Sequence, residues 1–227
     1  MHLNIHSLKN KVHGLEGFLD KERPDIECLT EHHVGDQERK TIHFENFNEG
    51  SIYCTARKSK GGTAIYLNKG ITSREINVSD LAFEGDIELC VVKCDEVKVA
   101  CVYRPPSGNY KVFFSNFEKL LERICRADAT VFVCGDFNIN LREEKDKQVK
   151  RYGERLTRLL RLNNLNIAID TPTRVKRVQQ HKLIIFLPAK TRTFSVHVIR
   201  TQVFQITFRS LYTHGFNKKE IAQSKEG

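Results

Sequence analysis

Apolar residues recur at Leu8, Val12, Leu15, Phe18 and Leu19, the spacing of one helical face. A helix is expected from Ser7, read as its N-cap, to about Arg23, because Pro24 pushes the residue before it out of helical geometry. Shorter apolar runs on either side, at 3–5 and 26–30, read as strands. The middle of the chain is strand-like at 63–67, 87–93 and 97–103. Turn sequences Lys60-Gly61-Gly62, Asn68-Lys69-Gly70 and Cys94-Asp95-Glu96 bound these runs. Pro105-Pro106-Ser107-Gly108 marks a loop, and Phe114, Phe117, Leu120, Leu121 and Ile124 then return to helical spacing. A buried-type strand at 130–134 runs into Gly135-Asp136-Phe137-Asn138, and Leu156, Leu159, Leu160 and Leu162 suggest a third helix. Three further strands are expected at 183–187, 196–199 and 203–208. Strands with intervening helices over this length predict a layered α/β sandwich.

Composition narrows this picture. A chain of 227 residues with 40% hydrophobic content can build one large core. No apolar run approaches the roughly 18 residues of a membrane span, so no membrane partner is expected. The first residues lack the charged and then apolar pattern of a secretory signal, so an intracellular location, nucleus or cytoplasm, is expected. The seven cysteines are scattered and include no Cys-x-x-Cys pair, which reads as reduced core thiols. The net charge of +9 favours a polyanionic partner. From Thr171 onward the only acidic residues are Glu220 and Glu226.

Polar residues at strand ends carry the candidate chemistry, because a rigid strand giving way to a loop is where function concentrates. Asn4, Glu31, Tyr103 with Arg104, and Asp136 with Asn138 occupy four such places. Together they suit a magnesium-dependent phosphodiesterase. Magnesium takes oxygen ligands and needs only one or two carboxylates to sit against a phosphate, and Glu31 can supply one. Asp136 can orient or deprotonate water, and Asn138 and Tyr103 can donate to phosphate oxygens.

The order of these motifs resembles the endonuclease/exonuclease/phosphatase domain of non-LTR (LINE/jockey-type) retrotransposons. Leu3-Asn4-Ile5-His6-Ser7-Leu8 is similar to its opening, and Pro24-Asp25-Ile26-Glu27-Cys28-Leu29-Thr30-Glu31 to its second motif. Gly61-Gly62-Thr63-Ala64-Ile65-Tyr66, Tyr103-Arg104-Pro105-Pro106, Gly135-Asp136-Phe137-Asn138 and Thr171-Pro172-Thr173-Arg174 follow in the family's sequence. The resemblance implies a four-layer sandwich of two mostly antiparallel sheets flanked by helices. It implies Mg2+, or Mn2+, held in the region of Asn4 and Glu31, with catalytic Asp136, Asn138 and Tyr103. DNA is the implied substrate, nicked by phosphodiester hydrolysis, with Arg104, Thr173 and Arg174 expected to contact nucleic acid. A monomer is expected.

The resemblance weakens after residue 174. The family's Ser-x-x-Asp strand falls near Leu183, and its closing Ser-Asp-His triplet has no counterpart, since no Asp follows Asp170. The domain is therefore expected to span 1–208, divergent over 170–208 and followed by a polar tail at 209–227. Impaired turnover is expected. A catalytically dead nucleic-acid-binding remnant, and a small-molecule phosphatase or phosphodiesterase of the same superfamily, remain as alternatives.

Overall fold

The computed structural model describes residues 1–56, 60–125, 130–141 and 146–167, and beyond them the backbone of strands at 186–188, 194–200 and 203–208. These residues form two six-stranded sheets. Sheet one runs β11 (Phe194–Arg200), β12 (Val203–Phe208), β1 (His2–Asn4), β2 (Ile26–Thr30), β4 (Thr63–Asn68), β3 (Phe47–Tyr53). Sheet two runs β5 (Arg74–Glu75), β6 (Glu88–Cys94), β7 (Val97–Tyr103), β8 (Thr130–Asp136), β10 (Phe186–Pro188), β9 (Leu165–Ile167). The helices are α1 (Val12–Glu22), the one-turn α2 (Asp36–Arg39), α3 (Tyr110–Ile124) and α4 (Lys147–Leu162).

Three apolar clusters define four layers, as expected. Ile26, Cys28, Ile65 and Leu67 of sheet one meet Cys90, Val92, Cys101, Phe132 and Cys134 of sheet two in the central seam. On the far side of sheet two, Leu89, Val91, Ala100 and Val102 pack under α3 and α4. On the far side of sheet one, Leu29, Ala64 and Tyr66 pack under Leu15 and Leu19 of α1. Strands buried on both faces read as largely apolar runs, which is why 89–92 of β6, 99–102 of β7 and 131–134 of β8 stand out in the sequence.

Each sheet holds one parallel pair, β1 with β2 and β7 with β8; the other pairings are antiparallel. A parallel pair needs a crossover, and α1 and α3 supply it. Both strands of each pair therefore end on the same side of the molecule, and the polar strand ends gather there.

Helix α1 begins later than expected. Its N-cap is Lys11, not Ser7. Ser7 has φ 78°, and its Oγ accepts from the Lys9 amide at 3.2 Å, so it closes a local turn. Leu8 is buried all the same, as an anchor for the loop and not as part of the helix. Strand β3 was not expected. Its pairing with β4 slips between Glu49 and Ser51, and that irregularity breaks the two-residue alternation that marks a strand. A Cβ on Gly50 inside it would lie 2.2 Å from the Leu67 side chain. Helix α4 starts at Lys147, capped by the Asp146 carboxylate accepting from Gln148 and Val149, well before its first inward leucine, Leu156.

Candidate active site

The ends of both parallel pairs are polar. In register, Asn4 lies beside Thr30 and Tyr103 beside Asp136. Glu31 follows Thr30 directly. Backbone bonds zip the two loops of sheet one together: Ile5 N to Thr30 O, Ser7 N to Glu31 O and Leu8 N to His32 O, at 2.7–3.0 Å. Glu31 N and His33 N donate in turn to Gly62 O and Gly61 O, each at 2.9 Å. The Gly61-Gly62 turn can come this close only without side chains. Both glycines have positive φ, and a Cβ on Gly62 would meet the His32 ring at 2.3 Å.

Asn4 ties the two sheets together. Its Nδ2 donates to Glu31 Oε1 at 2.8 Å and to Asp136 Oδ2 at 2.9 Å. Its Oδ1 is buried with no hydrogen-bond partner. A buried acceptor beside two carboxylates is costly unless a cation faces it. Asn4 Oδ1 and Glu31 thus form an oxygen donor set that fits a divalent metal ion.

Asp136 is held by packing behind it. Phe137 is fully buried, edge-on to Phe113 and Phe117 at centroid distances of 5.9 and 5.4 Å. Gly135 has φ 151°, and a Cβ there would lie 1.7 Å from Val102 O. The Asn138 amide N–H donates to Asp136 Oδ1 at 3.2 Å, and Asn138 Nδ2 donates to Arg104 O at 2.8 Å. Asn4, Glu31, Tyr103, Asp136 and Asn138, read from sequence as one cluster, lie on the converging strand ends and the turns that follow them.

Arg104 sits differently from the expectation of a nucleic-acid contact. It is 1% exposed. Its guanidinium donates to Phe137 O, Gly108 O and Asn138 O at 2.8–2.9 Å and lies 4.0 Å over the Tyr110 ring. Three carbonyls and an aromatic face consume it as an internal brace for the Asp136 turn. Thr173 and Arg174 lie outside the described residues.

Burial pushes the Tyr103 hydroxyl far up, reinforced by the Glu31 and Asp136 carboxylates, so it stays a proton donor. Burial lowers His32 to about 4, and lowers His33 against the opposing pull of Glu31. His32 is neutral: its Nδ1 accepts from Val34 N, so its Nε2–H donates to Tyr53 O at 3.0 Å. Three site residues escaped the sequence reading. Glu88, fully buried, accepts from the Gly62 and Gly85 amides and anchors the glycine turn. His6 Nδ1 lies 2.6 Å and His33 Nε2 3.8 Å from Glu31 Oε2. The run Glu31-His32-His33 directly after a strand, and His6 two residues past Asn4, were the available signals.

The comparisons agree with this architecture. No curated protein sequence matches the chain. The chain is similar in structure to the endonuclease domain of TRAS1, a telomere-specific non-LTR retrotransposon, with a TM-score of 0.63 at 15% identity, covering 92% of this chain and 97% of that one. It is also similar to an AP endonuclease from Archaeoglobus fulgidus, with a TM-score of 0.60 at 15% identity, covering 92% and 98%. A 3'-5' exonuclease from Neisseria meningitidis gives a TM-score of 0.61 at 13% identity, covering 90% and 96%. At such identities these likenesses speak to the fold. The profile of the Endonuclease/Exonuclease/phosphatase family matches residues 1–201, most of the chain. The chain belongs to the endonuclease/exonuclease/phosphatase family.

Proposed function

We propose that this chain is a divalent-metal-dependent DNA phosphodiesterase of the retrotransposon-endonuclease kind, nicking with reduced turnover. The observation that carries this reading is Asn4, which links the Glu31 and Asp136 carboxylates through its nitrogen while leaving its oxygen buried and unpartnered. Asn4 Oδ1 and Glu31 would hold magnesium or manganese. The ion, when bound, supplies charge neutralisation at the scissile phosphate.

The chain's own residues have separable tasks. Asp136 orients and deprotonates the attacking water. Tyr103 and Asn138 donate to the non-bridging phosphate oxygens, whose charge grows in the transition state. Arg104 acts through the backbone, fixing the turn that presents Asp136 and Asn138. The exposed cations of α4, Lys147, Lys150, Arg151, Arg158 and Arg161, offer a sequence-independent track for a phosphate backbone. Turnover is reduced because no Asp follows Asp170, so the acidic partner of a closing Ser-Asp-His is missing. A positioned acid or base contributes about 10²–10⁴-fold.

The experiment is nicking of supercoiled plasmid with magnesium, comparing the parent with Asp136→Ala and Glu31→Ala. Slow nicking that both substitutions abolish is expected. Parent nicking no faster than the variants, with DNA binding retained, would favour a remnant that only binds. Hydrolysis of a small phosphate ester without action on DNA would favour a phosphatase.

A further inference from the structure

Glu31 divides its two oxygens between unlike neighbours. Oε1 accepts from the Asn4 amide. Oε2 faces two imidazoles, His6 Nδ1 at 2.6 Å and His33 Nε2 at 3.8 Å. One ligand atom from each of His6, Glu31 and His33 lies within 4.8 Å of the others. His33 Nε2 is buried and has no hydrogen-bond partner. Asn4, and through its amide Asp136, lie on the Oε1 side.

The backbone holds this arrangement at a cost. His6, Glu31 and His33 all adopt left-handed φ, 49°, 56° and 54°, which non-glycine residues rarely take. The bonds from Ser7 and Leu8 to Glu31 O and His32 O, and those from Glu31 and His33 to the Gly61-Gly62 turn, impose it. The result is two imidazole nitrogens and one carboxylate oxygen gathered beside the strand ends. His6 is exposed, Glu31 is buried and His33 is half-buried, so an ion can enter from solvent.

We infer that His6, Glu31 through Oε2, and His33 form a binding site for a borderline divalent ion of the zinc and cobalt class, distinct from the oxygen set of Asn4 and Glu31 on the Oε1 side. Imidazole nitrogen suits zinc and its transition-metal neighbours, whereas magnesium takes oxygen and parts reluctantly with water. Three protein ligands leave further positions on the ion for water or a phosphate oxygen. The site shares Glu31 with the nuclease reading but does not depend on turnover.

The test is a cobalt titration of the whole chain, followed by its visible d–d absorption, with magnesium in excess. The parent is expected to show the bands of a nitrogen-ligated site that magnesium does not displace. The His6→Asn/His33→Gln double variant is expected to bind at least ~10-fold more weakly, a loss that even outer partners of metal ligands produce. His13→Gln, at an exposed histidine away from the cluster, is the control and keeps parental affinity. Cobalt binding by the double variant at parental strength overturns the inference. A second readout needs no substitution. Zinc added to the 15N-labelled parent should shift the ring nitrogens of His6 and His33 and leave those of exposed His13 and His43 in place; the reverse pattern overturns it. Histidine-dependent cobalt binding by a chain that never nicks DNA upholds this site and sinks the nuclease reading. Nicking without histidine-dependent cobalt binding does the opposite.

Discussion

Asn4 and Asp136 stand 132 residues apart in sequence and on different sheets, yet the Asn4 amide donates to the Asp136 carboxylate at 2.9 Å. Because the same nitrogen also serves Glu31, Asn4→Asp replaces a donor to two carboxylates with a third negative charge. The loss of two charge-assisted bonds costs about 1–3 kcal/mol each, and like-charge repulsion adds to it. We predict a lower metal-free Tm and a larger rise on adding magnesium than in the parent. Calorimetry with and without the ion checks this; equal metal-induced rises would refute the oxygen donor set.

Tyr103→Phe removes one donor while keeping the ring. The Tyr103 hydroxyl is held protonated by burial and by the neighbouring carboxylates, so its function is donation. A single such donor is typically worth about 10²–10³-fold. Nicking should fall on that scale, with a Tm lowered only by the lost hydrogen bond to Glu31, read from plasmid gels alongside thermal melts.

Gly135→Ala and Gly62→Ala should both damage the fold. A Cβ on Gly135 would collide with Val102 O, a backbone atom that cannot rotate away, whereas one on Gly62 would meet the His32 ring. Backbone strain of about 1–3 kcal/mol adds to overpacking of similar size. Gly135→Ala is predicted to be the worse of the two, measured as the urea midpoint.

Two buried histidines should make stability fall in acid. Burial depresses His2 to about 3 and His32 to about 4, from an ordinary 6.5. The unfolded chain then binds more protons than the folded one below pH 6.5, so the stabilisation is present above 6.5 and is lost as pH falls toward 4 and 3. Each group contributes a loss on the order of 2 kcal/mol by pH 5. Burial also raises Glu27 to about 8, which acts with the opposite sign over the same range. The histidine share is therefore read as the difference between the parent and His32→Gln in urea melts at pH 7 and pH 5, the variant losing less stability on acidification.

Arg104 and the α4 cations make opposite predictions. Arg104→Lys forfeits the fork that reaches three carbonyls and should lower stability by about 1.5–3 kcal/mol. It should leave the salt dependence of DNA binding unchanged. Arg158→Ala should leave stability within ~0.5 kcal/mol and reduce the slope of log affinity against log salt by about 1. Fluorescence anisotropy over a salt series separates them.

The layered fold was legible because strand stretches buried on both faces, such as 99–102, leave no room for polar residues. The site was legible for a related reason: Asn4, Glu31, Tyr103 and Asp136 interrupt that apolar pattern where strands end. What the sequence concealed depends on neighbours far along the chain. The irregular pairing of Glu49 and Ser51 hid β3. Arg104 looked like a surface cation because two of its three partner carbonyls, those of Phe137 and Asn138, lie 33 and 34 residues further along the chain. Ser7 carried the residue type of a helix cap, but its bond goes to a turn two residues on. His6 and His33 meet only through left-handed backbone, which residue type does not announce.

The thiols of the central seam give the molecule a built-in clock. Cys28, Cys101 and Cys134 lie buried between the sheets, with Cys101 Sγ donating to Leu29 O across the seam. Burial raises the Cys101 thiol well above its ordinary value, so it is unreactive while the sandwich is closed. A reagent that labels these three thiols therefore reports separation of the two layers, whereas the partly exposed Cys54 and Cys125 are labelled without it. Because Asn4 and Asp136 belong to opposite layers, each separation it reports is also an interval in which their bond is broken and the site is not assembled.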